Sequence, residues 1–277
     1  MLSIARQIMC AVAIVTMLGM IDGYAGAAEP VADEAISFEL DIMPILTARG
    51  CNAGACHGKQ RGQNGFQLSL LGFDAEFDFA ALTREGRGRR VFPADSERSL
   101  LLRKGAARMP HGGGVRLPYR GADYVSLQRW IEQGTPRRIP GEPTLSSVTI
   151  VPEQESLRPE ETQQLQVTAH YSDGSQRDVT HRTTFQSNEA AVVGVTDDGM
   201  LLAGTLPGEA SIMARFMGQI TTCNVTIPLP GEVPAEVYEQ LPRVNFVDGL
   251  VWDKLQQLGI TPSDSTSDPK YMRRVYL

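Results

Sequence analysis

The chain has 277 residues, 42% of them hydrophobic and 21% charged, with a formal net charge of -6. That length accommodates two compact domains plus connecting material, and the composition is that of globular chains. The acidic balance offers no basic face for nucleic acid, and the short arginine-rich stretch Arg84–Arg90 reads as a solvated loop.

Arg6, the apolar run Ile8–Met20 and the small residues Ala25-Gly26-Ala27 read as a secretory signal over residues 1–27. The run is too short for a good membrane span, which needs about 20 apolar residues. An uncleaved amino-terminal anchor is the alternative. Cleavage near Ala28 removes Cys10 and leaves Cys51, Cys56 and Cys223 in an oxidising compartment, the periplasm or cell surface. Cys223 shares its parity with Val225 and Ile227, so it is expected in a strand as a small buried hydrophobe.

In the first segment, residues 36–140, Phe38, Ile42, Ile45 and Leu46 recur at helical spacing up to Gly50. Tyr124, Leu127, Trp130 and Ile131 form a second stripe, stopped by Gly134 and Pro136. Between them run glycine-rich loops: 58–65, 86–93 and 111–120. Two helices around so loop-rich a middle are expected to need a large apolar cofactor to complete their core.

In the second segment, residues 144–230, Leu165, Val167, Ala169 and Tyr171 alternate with Gln164, Gln166, Thr168 and His170. This is the pattern of a half-buried strand ending in the turn Ser172–Ser175. Further short strands at Val192–Val195, Met200–Ala203, Ala210–Phe216 and Gln219–Ile227 predict an all-β sandwich. In the third segment, residues 243–277, Phe246, Leu250, Leu255 and Leu258 predict a helix closed by Gly259, and Asp268-Pro269 predicts the start of another. Thirty residues with two helices read as the opening of a further domain.

The chemistry-bearing motif is Cys51-Asn52-Ala53-Gly54-Ala55-Cys56-His57, directly after the first helix. Two thiols followed by an imidazole are the pattern of covalent c-type haem attachment, whose usual spacing is Cys-x2-Cys-His. Here four residues separate the cysteines. Cys51 and Cys56 would carry the thioethers and His57 would ligate the iron. The loop Arg108-Met109-Pro110-His111-Gly112-Gly113-Gly114 offers Met109 and His111 as sixth ligands. A Cys51–Cys56 disulfide in a haem-free surface module and a zinc site made with His57 and His111 are the alternatives. His-Gly-Gly-Gly also suggests an esterase oxyanion loop, but the chain has no Gly-x-Ser-x-Gly elbow. Asp173, Asp178, Asp197 and Asp198 lack the spacing of a calcium loop, and His170 and His181 read as surface residues.

The segments Ile42–Leu46, Cys51–His57, Gly65–Leu70, Pro93–Asp95, Ser99–Leu101, His111–Gly114 and Trp130-Ile131 resemble a planctomycete-type cytochrome c domain. The resemblance implies a small α-helical haem domain with one covalent haem c, an electron carrier rather than a catalyst, and His111 in preference to Met109. Gln164–Tyr171, Asp173–Ser175, Asp178–Thr180 and Gly208–Ala210 resemble a bacterial Ig-like group 2 domain, a sandwich used as spacer or adhesion unit. Asn245–Leu258 and Arg273–Leu277 resemble the opening of that family's downstream domain of unknown function. The expected partners are a redox protein and a cell-surface or polysaccharide contact through the sandwich.

Overall fold

The computed structural model describes residues 35–58, 62–231 and 233–276; the expected signal segment, residues 1–27, lies outside them. The first helical stripe begins as a wide turn, Phe38–Ile42, and continues as α1, Met43–Ala48. Ser37 caps it by accepting from the Leu40 amide at 3.3 Å, while Asp41 returns a bond to the Ser37 amide at 2.9 Å. Pro44, which has no N–H to donate to the preceding turn, stands at the junction of the wide turn and α1. Gly50, at φ +69°, ends the helix as the sequence implies.

Two further helices lie between the glycine-rich loops: α2, Ala75–Thr83, and α3, Leu100–Gly105. Then α4, Ala122–Glu132, carries the second stripe. Its end is tied to the start of the fold. The Phe38 amide donates to the Pro136 carbonyl at 3.1 Å, the Trp130 indole donates to the same oxygen at 3.0 Å, and the Phe38 and Trp130 rings stand 5.7 Å apart.

The loop-rich middle supplies core residues of its own. Leu68, Leu82, Leu102 and Leu117, all from the presumed loop region, are at most 1% exposed and pack with Phe38, Ile45, Tyr124 and Trp130 in one cluster. Burying side chains of that size contributes about 1.5–3 kcal/mol each.

The second segment is a β-sandwich. β1, Leu145–Val151, pairs with β4, Gln166–Tyr171, which pairs with β5, Gln176–Asp178. β3, Thr162–Gln164, runs on into β4 across Leu165 and pairs with β8, Met200–Ala203, beside β7, Val193–Val195. The remaining sheet has the order β2, β10, β9, β6: Gln154–Ser156, Gln219–Ile227, Gly208–Phe216 and Thr184–Ser187. The β2–β10 pair is parallel and the other ladders are antiparallel.

Leu165, Val167 and Ala169 are fully buried, and Cys223 lies with Val225 and Ile227 in the same core, as the alternation requires. Burial also pushes the Cys223 thiol up to about 11, which makes it inert at neutral pH. Leu40, from the first turn of the helical part, joins this core, and Asp41 beside it faces Arg177 and Arg182 of the sandwich at 3.4 and 3.5 Å.

Past the sandwich come α5, Ala235–Glu239, α6, Phe246–Leu258, and α7, Asp268–Val275. α6 has an Asn245/Asp248 capping box and ends at Gly259 in the left-handed conformation. The cap of α7 is Ser267, one residue before the expected Asp268. No helix among the described residues is long and apolar enough to cross a membrane.

Candidate functional site

The cysteine loop is folded by its own backbone. Cys51 donates to the Leu46 carbonyl at 2.8 Å, His57 to Cys51 at 3.0 Å, and Cys56 and Gly58 both to Ala53, at 2.9 and 3.0 Å. The four residues between the cysteines thus form a compact double turn. Gly58 is the residue that permits it, because a Cβ there would stand 1.9 Å from the Asn52 carbonyl oxygen. Asn52 is buried, donates its amide to Thr47 Oγ1 at 2.8 Å, and keeps an unpartnered Oδ1. Its carbonyl takes the amide of Leu71, a residue held at φ +56°.

Both site cysteines are free thiols, so the Cys51–Cys56 crosslink of the haem-free alternative is not formed here. Cys51 packs against the helical core. Burial first, and the neighbouring Cys56 second, push its thiol up to about 11, against the smaller pull of Arg116 and Arg49. Neither thiol touches a third ligand. Among the described residues no three His, Cys, Asp or Glu side chains are grouped to hold a metal ion, and the four-ligand zinc site falls with that.

The structure brings His57 and His111 together from loops 54 residues apart in sequence. Their ring centres are 6.3 Å apart and their planes differ by 8°. Each ring is fixed the same way: His57 Nδ1 lies 3.0 Å from the Phe66 carbonyl and His111 Nδ1 lies 3.0 Å from the Gly114 carbonyl. A carbonyl only accepts, so each Nδ1 carries the proton and each Nε2 keeps its lone pair. This is the second-sphere arrangement that prepares a histidine to ligate through Nε2.

Burial, followed by the charges of His111, Arg90 and Lys104, lowers the His57 pKa despite the opposing Phe66 bond, so the ring is neutral at pH 7. Gly113 has a role too: a Cβ there would sit 2.9 Å from His111 Cε1. Met109 is held by an amide bond to the Arg103 carbonyl at 3.2 Å, and it is His111 whose ring lies opposite His57.

Sequence reasoning missed the supports of His57. In the Arg84–Arg90 stretch Arg84, Arg87 and Arg89 are exposed, as expected of a solvated loop, but Arg90 is only 5% exposed and stacks over Phe66, whose own ring lies 4.4 Å from that of His57. Gly62, at φ +56°, has room for no side chain, since a Cβ would stand 2.1 Å from the Phe66 carbonyl oxygen. The density of glycine around the cysteine motif was the available signal. His170 is engaged by Thr149 at 2.9 Å and His181 is exposed, both away from any site.

No family model matches the chain, and no curated protein does. Among solved structures, domains 5–6 of the S-layer protein SbsC match over 34% of this chain and 48% of that one, at 17% identity and a TM-score of 0.28. A bacterial Ig-like domain containing GH10 xylanase from termite gut matches over 32% and 21%, at 16% identity and a TM-score of 0.20. The adhesin InvE of Yersinia pseudotuberculosis matches over 32% and 28%, at 19% identity and a TM-score of 0.20. The chain spans less than half the length of each of these structures. Likenesses this slight carry no argument about what the chain does.

Proposed function

We propose that the chain is an exported electron-transfer module with one haem c in its helical part. Cys51 and Cys56 would hold the group as thioethers, and His57 and His111 would ligate its iron. The observation that carries this reading is the parallel imidazole pair at 6.3 Å, each ring locked through Nδ1 with Nε2 available. A bound haem supplies a one-electron couple; this chain's own residues orient the imidazoles and keep His57 neutral. The sandwich serves as an Ig-like spacer or adhesion unit in the periplasm or at the cell surface, with a redox protein as partner.

A second reading rests on a different observation. The helical part buries Phe38, Leu68, Leu82, Leu102 and Trp130 against one another in one cluster, which suits a haem-free cell-surface binding or structural module with reduced cysteines.

Expression with cytochrome c maturation machinery separates the two. A mass gain of one haem and a reduced-minus-oxidised α band, lost in His57→Ala and His111→Ala but kept in Met109→Leu, is the expected result. A colourless chain of unmodified mass would leave the surface module standing.

A further inference from the structure

Arg90 is a buried cation whose charge, among the described residues, pairs with Glu85 at 4.0 Å. A guanidinium is kept out of water only where its donors are used, and here they are used on main chain. Nη1 donates to the Ala81 carbonyl of α2 at 2.5 Å, and Nη2 to the Gly65 carbonyl at 2.7 Å. The guanidinium carbon also lies 4.5 Å above the centre of the Phe66 ring, within cation–π range. One side chain thus clamps the turn Gln63–Phe66 to α2 from two directions.

That turn exists for its carbonyl. Gln63 and Phe66 exchange both amide bonds, at 2.9 and 3.0 Å. The Phe66 oxygen then accepts a second bond, from His57 Nδ1, and the Phe66 ring lies against the imidazole. We propose that Arg90 is a positioning residue for His57: it holds the Phe66 carbonyl and ring in place, and these fix the imidazole in the Nδ1–H tautomer and in the orientation that leaves Nε2 to ligate. His111 has no such support, since its Nδ1 bonds within its own turn, to Gly114. The ligating role of Nε2 rests on the haem reading above; the tautomer lock does not.

The test uses the chain expressed without haem machinery and reads the ring nitrogens of both histidines by long-range 1H–15N correlation. In the wild type, His57 and His111 each show the single Nδ1–H form. Arg90→Met, checked for folding by near-UV circular dichroism, turns His57 into a mixture of tautomers and leaves His111 unchanged. Arg90→Lys keeps the charge and loses the two-pronged fork, so it gives a partial loss at His57, and it carries the test if the methionine variant does not fold. A folded variant with His57 unchanged, or with both rings altered alike, overturns the proposal. A chain that stays colourless when expressed with the maturation machinery, but whose His57 lock depends on Arg90, overturns only the haem reading.

Discussion

The helical part and the sandwich hold cores of similar make-up but treat their backbones differently. In the sandwich the left-handed residues gather mainly at turns, such as Gly174, Gly199 and the Met217-Gly218 hairpin. In the helical part they lie along the loops that build the site: Asn64, Leu71, Arg87, Ala107 and Arg120 all have positive φ without being glycine. Each such residue costs about 1 kcal/mol or more and persists only where its surroundings over-determine it. Leu71 shows how, since its amide is taken by the Asn52 carbonyl inside the cysteine loop. Regular alternation builds a frame, whereas strain concentrated in loops marks the place where side chains must be held for a purpose.

The sharpest way to break this contrast is one methyl group placed in each part. Gly58→Ala drives a Cβ against backbone that cannot swing aside, 1.9 Å from the Asn52 oxygen. The expected loss is at least about 4 kcal/mol, the range reserved for such disruptive changes. Gly174→Ala meets nothing within 4 Å and is opposed only by its φ of +82°, so about 1 kcal/mol is expected. Calorimetry of both variants checks the pair. Equal losses would mean that the cysteine loop is no more constrained than a hairpin turn.

How much of this was legible follows the same division. The strand of Leu165–Tyr171 and the burial of Cys223 could be read from parity alone. So could the two outer helices of the helical part, which have apolar stripes. The inner helices could not: α2 spreads Phe77, Phe79, Ala80 and Leu82 around its circumference, and α3 is six residues long. Without them the middle looked hollow and seemed to ask for a cofactor. Of the site, Cys51, Cys56, His57 and His111 were visible because their side chains carry chemistry. The Phe66 carbonyl was not, because a main-chain acceptor has no residue signature. Arg90 was misread because four arginines in seven residues look like a solvated face until the fold turns one of them inward.

A smaller effect sharpens the electrostatic side. Asp78 is 1% exposed in α2 and accepts from the Ser69 amide at 2.5 Å and the Ser69 hydroxyl at 2.8 Å. Burial nevertheless wins over these bonds and raises its pKa above the ordinary 3.8. A carboxyl with a raised folded pKa binds its proton more tightly in the fold than in the unfolded chain. Its favourable contribution is full below the ordinary value and is lost as pH rises through the raised one. Against Asp78→Asn, the wild type is therefore expected to gain relative stability as pH falls through that window. Melting curves of both proteins across it give the answer, and a relative loss on acidification would mean that the Ser69 bonds outweigh burial.

The least disruptive test lies where the two parts meet. Asp41 faces Arg177 and Arg182 at 3.4 and 3.5 Å, with the arginine side chains 40% and 31% exposed. Ion pairs so open to solvent contribute about 0–1 kcal/mol and are weakened by salt. Asp41→Asn is expected to cost less than about 1 kcal/mol and to remove the salt dependence of melting that comes from this contact. Leu40, immediately before it, is 8% exposed within the sandwich core and keeps the apolar part of the joint in the variant. A loss of several kcal/mol would mean instead that the carboxylate acts as a desolvated partner whose removal strands two cations. The joint would then depend on charge, and the sandwich would be a fixed base for the histidine site.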